Sequence, residues 1–259
     1  MIPSWAKKLQ TPEMEYVAFG ILALAAASVQ TWFGFGYGIL LTPVAALISD
    51  PETAIAASIV TGSALSLLLY VEHQPRPALH ETSLIAVAGI AGIPFGVWLL
   101  TEADDDLLRL CVGFAVLASA LAGLVHSNVG QPRRPDRRLM LVGAGLLSGV
   151  MRGAVSMPGP PVLLYAHWRG GTAEAVRGTM FGFNGFLAVP GVAIAAVGGV
   201  LSTDALTLSA AAVPGLIGGM LLGRSLRSQL GDQTFGRTSL ALLAIAAALG
   251  IATAAVGIA

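Results

Sequence analysis

Arg152 stands in an otherwise apolar stretch, Leu139 to Ala166, whose centre reads Leu-Ser-Gly-Val-Met-Arg-Gly-Ala-Val-Ser-Met-Pro-Gly-Pro-Pro. A charge at membrane depth is costly, so such a residue faces a cavity or a partner and marks a functional site by default, the plainer alternative being an interfacial arginine that snorkels to the headgroups. The guanidinium fork matches a planar or tetrahedral oxyanion. Two glycine and proline clusters add to this chemistry: Gly34-Phe35-Gly36-Tyr37-Gly38, with Pro43 beyond it, and Gly153-Ala154-Val155-Ser156-Met157-Pro158-Gly159-Pro160-Pro161. Gly gives up helical preference and Pro removes a donor, so each cluster is expected to unwind a helix in its middle. Half-helices beginning after Gly38 and near Pro160 would aim positive N-termini and free N–H groups at a shared midplane anion. Pro160 or Pro161 suits a first turn, where a missing N–H is no loss.

Polar groups at similar depth complete the candidate substrate-binding set. Gln30, Ser58, Thr61, Ser156 and Asn184 are each able to donate to anion oxygens. Their alternatives are ordinary: Ser and Thr hydroxyls in membrane helices bond their own backbone, and Asn or Gln links helices. Asn184 ranks first, because Phe181-Gly182-Phe183-Asn184-Gly185 sets an amide among small and aromatic residues. Trp32, Phe33, Phe35 and Tyr37 beside the first break form an apolar wall or gate, or simply pack. Gly36, Gly38 and Gly153 enter the set as backbone at the breaks.

These groups need a membrane to position them, and the composition provides for one. The 259 residues are 55% hydrophobic and 11% charged, with mean hydropathy +0.79, which points to an all-α polytopic membrane protein. The formal net charge is zero, which argues against a nucleic-acid partner. Cys111 has no pairing partner, so neither a disulfide framework nor a thiolate metal site is expected. His73, His80, His126 and His167 fall near segment ends without ligand spacing, so no metal or other cofactor is expected. Residues 1–14 are a polar N-terminal segment. Lys7 and Lys8 precede an apolar run that continues into the body of the protein, so it reads as retained rather than cleaved.

Windows of about twenty residues mark plain spans at 53–71, 83–100, 107–125, 175–197, 205–222 and 239–258, and interrupted stretches at 16–49 and 139–168. The interrupted stretches occupy corresponding places in two halves. At a spacing near 120 residues, Asp50-Pro51-Glu52-Thr53-Ala54 followed by Thr61-Gly62 answers Gly170-Gly171-Thr172-Ala173-Glu174 followed by Phe181-Gly182. Likewise Gly92-Ile93-Pro94-Phe95-Gly96 answers Gly215-Leu216-Ile217-Gly218-Gly219, small-xxx-small spacings that allow close helix approach. The chain therefore reads as two repeats of about four helical segments, 15–126 and 139–258, joined by a polar linker at 127–138.

If each interrupted stretch crosses once, the basic residues other than Arg152 divide seven against six, which is no bias. If each forms a broken, re-entrant-like hairpin with both ends on one side, Lys7, Lys8 and Arg109 lie on one face and ten on the other. The positive-inside rule favours the second arrangement. The repeats are then inverted and both termini lie outside a plasma or inner membrane. Inverted repeats with broken helices at the midplane are a transporter signature.

The glycine-rich break, the following Pro43, the Asp-Pro-Glu-Thr-Ala turn, the duplicated architecture and the overall length resemble the TauE/SafE sulfite exporter family, with 4-toluene sulfonate uptake permease-like transporters among its kind. The resemblance covers essentially the whole chain. It implies a secondary transporter, often an exporter, of sulfite, organosulfonates or related sulfur-containing anions, and no enzyme. Arg152-Gly153-Ala154-Val155-Ser156-Met157 stands where that family's second copy would carry further glycines, which leaves the particular anion open.

Three other readings compete with this one. Gly36-Tyr37-Gly38 resembles the end of a potassium-channel filter, but the upstream Thr-Val is absent, the second copy lacks the triplet, and Arg152 would repel cations. An intramembrane enzyme using Ser148 or Ser156 needs a base in reach, and His167 lies eleven or more residues away. A receptor or scaffold without flux has little use for duplicated broken hairpins. No intramembrane carboxylate relay is visible, so the coupling ion stays open, as does a homo-oligomeric state.

Overall fold

The computed structural model describes residues 12–72, 79–104, 107–108 and 138–227. The expected span 239–258, the remainder of 107–125 and the linker up to residue 137 lie outside them, as do Lys7, Lys8, Arg76, Arg109, Cys111, His73 and His126. Eight α-helices occupy the described residues: α1 (Pro12–Phe33), α2 (Tyr37–Ile48), α3 (Pro51–Glu72), α4 (Leu79–Glu102), α5 (Arg138–Val155), α6 (Gly159–Arg169), α7 (Ala173–Val197) and α8 (Thr203–Arg227). In hydrocarbon every backbone polar group must find a partner within the segment, and a helix does this residue by residue. Side chains supply partners where helices begin. Asp50 accepts from Thr53 N–H at 2.9 Å, Thr172 from Ala175 N–H at 3.1 Å, and Ser202 from Ala205 N–H at 3.1 Å. Pro51 sits at the first helical position of α3, where no donor is lost.

Six of these helices, α1, α3, α4, α5, α7 and α8, are long and apolar enough to cross a membrane. Large apolar side chains such as Val17, Ile21, Val87, Trp98, Val189 and Leu221 are exposed on their outer faces, as lipid contact requires. By contrast α2 has 12 residues and α6 has 11, so at about 1.5 Å per residue neither reaches across a core of about 30 Å. The first interruption is narrower than its glycine cluster. Helix α2 begins at Tyr37 rather than after Gly38, and it runs through Pro43 to Ile48, because an amide lost inside a covered helix is tolerated at membrane depth.

Close backbone contacts fix the sense of each helix. A Cβ added at Gly215, Gly219 or Gly223 of α8 would strike the carbonyls of Gly20, Leu24 and Ser28 of α1 in turn, so these two helices run parallel. The same ladder recurs where Gly145, Gly149 and Gly153 of α5 meet Ile85, Gly89 and Ile93 of α4. Helix α8 also runs parallel to α3, with Ser209 beside Ala57 and Arg224 bonded to Glu72. Helix α7 runs with α4, since Gly89 meets Phe183 and Gly198 meets Val97. Tyr70 on Gly185, with Arg152 between Ser63 and Gly191, makes α3 and α7 antiparallel. Thus α1, α3 and α8 point one way and α4, α5 and α7 the other.

Charge sorts accordingly. Glu13, Glu15, Asp50, Glu52, Glu102 and Asp204 stand at one end of the bundle. Arg138, Arg169, Arg177, Arg224 and Arg227 stand at the other, several of them paired there. Arg169 binds Glu81, Arg224 binds Glu72, and Arg177 binds Glu174 at 2.5 Å.

The glycine ladders carry a testable energetic consequence. Gly149→Val should lower the thermal unfolding midpoint in detergent, by the equivalent of about 1–3 kcal/mol or more, because its Cβ has nowhere to go. Gly143→Ala, with no atom within 4 Å of the new methyl, should leave the midpoint unchanged or raise it.

Candidate functional site

The two breaks lie face to face. Gly34 and Gly36 adopt φ of +87° and +110°, and Ser156 adopts +58°. Helix α1 closes as Gly34 N–H donates to the Gln30 carbonyl at 2.7 Å. Helix α5 closes through two bonds, Ser156 N–H to the Arg152 carbonyl and Met157 N–H to the Met151 carbonyl, each at 3.1 Å. The first of these is the bond that ends a helix on a left-handed residue, usually glycine because it carries no Cβ to collide. The backbones of the breaks then touch. A Cβ on Gly38 would overlap the Ser156 carbonyl, and one on Gly159 would lie 3.3 Å from Phe35 Cβ.

Around this contact lies a small cavity lined by Gln30, Arg152, Ser156, Asn184 and the start of α2. Arg152 is 3% exposed. Its Nη2 donates to Ser63 Oγ, its Nε has no partner, and no carboxylate among the described residues pairs with it. Gln30 donates to Ser66 Oγ at 2.9 Å. Asn184 donates to the Gly34 carbonyl at 3.2 Å, tying α7 to the first break across 150 residues of chain.

The half-helices contribute unequally. In α2 the first amide with an intrahelical partner is that of Leu40, which donates to the Gly36 carbonyl at 3.1 Å, so the amides of Tyr37, Gly38 and Ile39 are the unspent donors of its N-terminus. In α6, Pro160 and Pro161 carry no N–H, and Gly159 alone is left to donate in its first turn. The cavity is thus lined by a guanidinium, amides and hydroxyls, and by no carboxylate. Such a donor set favours an anion.

Of the expected site residues, Arg152, Gln30, Gly36, Tyr37, Gly38, Ser156 and Asn184 come together here. Four do not line the cavity. Ser58 and Thr61 donate to the carbonyls of Ala54 and Ala57, both at 2.7 Å, because in an apolar helix the nearest acceptor is the preceding turn. Trp32 packs on Phe33 at 4.8 Å between ring centroids. Gly153 faces α4 in the glycine ladder. Gly62 and Ser66 of α3 do line the cavity without having been singled out as ligands. The small-polar run Gly62-Ser63-Ala64-Leu65-Ser66 in an apolar helix is the signal that could have found them. Among the described residues, Ser148 Oγ and His167 Nε2 each have no hydrogen-bond partner.

Six membrane-length apolar helices around a buried polar cavity define a multi-pass membrane protein. The model of the family described as Sulfite exporter TauE/SafE matches residues 19–251. The chain belongs to that family, and the family is one of membrane transporters. Comparison with curated proteins and with solved structures found no match.

Ser156 occupies a position that glycine fills at lower cost. Ser156→Gly should raise the unfolding midpoint by the equivalent of about 0.5–1 kcal/mol, since relief of the left-handed strain exceeds the entropy that glycine adds to the unfolded chain. Thermal denaturation in detergent measures it, with Ser156→Val, a branched side chain at the same φ, expected to lower the midpoint.

Proposed function

We propose that the protein is a secondary transporter of small sulfur oxyanions, sulfite or a small organosulfonate, with the anion held between the two breaks. The observation that carries this reading is Arg152, buried beside the cavity with a hydroxyl as its partner and no carboxylate among the described residues to neutralise it. A bound anion would supply the missing countercharge, and the unspent amides of α2 would share it at a positive helix end. Ser156, Gln30 and Asn184 would complete the donor set.

The transport cycle proposed is alternating access between two inverted repeats. Its support is the reciprocity of the contacts. Helix α1 packs on α8 as α5 packs on α4, and α8 meets α3 as α4 meets α7. A register of 122 residues relates Asp50 to Thr172 as helix caps, Gly34 to Ser156 as left-handed residues, and Tyr37 to Gly159 as half-helix starts. Helices α1 and α3 run parallel, as α5 and α7 do, which favours a returning half-helix between the members of each pair. The basic end of the bundle then faces the cytoplasm, in keeping with both termini outside the plasma or inner membrane.

Binding of sulfite, thiosulfate, organosulfonates, sulfate and potassium to the purified protein, by calorimetry or thermal shift, tests the substrate class. Stabilisation by a sulfur oxyanion that disappears in a folded, monodisperse Arg152→Ala variant is expected. Full affinity in that variant would sink the site, and stabilisation by potassium alone would sink the function. For orientation, Arg138→Cys and Ser202→Cys in a Cys111→Ser background should respond oppositely to an impermeant maleimide on intact cells. Ser202→Cys is expected to label and Arg138→Cys to resist, and the reverse would overturn the topology.

A further inference from the structure

We propose that Gly191 and Ser63 are positioning residues that hold the Arg152 guanidinium in place for the anion, an inference that rests on the assignment of Arg152 to the central site. Arg152 projects from α5 into the seam between the antiparallel helices α3 and α7, and one residue on each helix receives it. On α3, Ser63 Oγ accepts from Nη2. The Ser63 hydroxyl spends its own proton on the Ile59 carbonyl at 2.5 Å, so the oxygen turns a lone pair to the guanidinium and its rotamer is set by the helix.

On α7, the three atoms nearest to a Cβ built at Gly191 all belong to that guanidinium. Nε would lie 2.7 Å away, and Cζ and Nη2 3.4 Å. A methyl group does not fit at 2.7 Å from a nitrogen without moving one of the two. Gly191 has no other visible reason to be glycine. It lies mid-helix in α7, where alanine is the more stable choice, and its φ is not positive. The absence of a side chain lets the flat face or edge of the guanidinium rest against the backbone of α7. Since Nε finds no acceptor, that packing and the Ser63 bond are what hold the group. Neither residue was among those expected from the sequence, and neither lines the cavity. They act through Arg152.

The test is a double-mutant comparison read in two ways. Gly191→Ala should weaken sulfite binding at least tenfold when Arg152 is present and by less than twofold in an Arg152→Lys background, whose ammonium has no Nε group to displace. Equal losses in both backgrounds, or no loss with Arg152 present, would overturn the cradle. Ser63→Ala should weaken binding and Ser63→Thr should restore most of it, and equal affinities for the two variants would count against Ser63. The second readout needs no ligand. Gly191→Ala should lower the thermal midpoint beside Arg152 and raise it in an Arg152→Ala background, where only the gain in helix preference remains. Shifts of the same sign in both overturn the proposal. If Gly191→Ala fails to fold, recovery of a monodisperse protein on adding Arg152→Ala supports it, and failure to recover overturns it. A parent protein that binds no sulfur anion would remove the function reading while the thermal comparison still decides the cradle.

Discussion

A guanidinium withdrawn from water, with no carboxylate among the described residues beside it, is the constraint on which the described structure turns. Removing one ion from water costs several kcal/mol even after relaxation, more than a single hydroxyl contact returns. The Arg152 charge is 3% exposed, touched by Ser63 and packed on Gly191. The surrounding protein could have neutralised it cheaply, as it does at the basic end with Glu72, Glu81 and Glu174. Left unneutralised, the central charge would keep its attraction for an anion, as the proposed function requires.

The second requirement follows from the first. An unwound backbone at membrane depth is tolerated only when protein covers it or a cavity wets it, and here each break covers the other. Gly38 lies on the Ser156 carbonyl and Gly159 on Phe35, while Asn184 occupies the Gly34 carbonyl. Such close approach demands that the flanking helices also come close, which the glycine ladders between α1 and α8 and between α4 and α5 permit.

Much of this was legible in the residues. Arg152 in an apolar run, and glycine and proline clusters in corresponding stretches, announced a charged site between broken helices, because an isolated charge and a helix breaker act locally. What escaped was decided by phase and by distance along the chain. Ser58 and Thr61 lie at plausible depth, yet each hydroxyl closes on its own turn. Trp32 adjoins the break, but its place on α1 turns it to Phe33 rather than to the cavity. Ser63 and Gly191 meet Arg152 across 89 and 39 residues, and no local pattern encodes that meeting. The start of α2 at Tyr37 rather than after Gly38 was likewise hidden, since a glycine covered by neighbours stays helical.

The two breaks are alike in backbone and unlike in chemistry, and the difference is informative. In the 122-residue register Gln30 stands where the second half has Arg152, Gly34 where it has Ser156, and Gly38 where it has Pro160. The first half thus offers unspent amides on a glycine-bearing helix start, and an amide side chain already engaged with Ser66. The second offers the charge and a hydroxyl, on a start whose prolines cannot donate. An anion placed between them would meet full charge on one side and a row of neutral donors on the other. It would be held by complementary rather than duplicated groups. A site of two identical halves would set two guanidiniums against each other across one small cavity, and their repulsion in a poorly screened interior would keep the breaks from closing. In the proposed repeat, the unlike side chains at the two breaks would let the backbones touch without that repulsion.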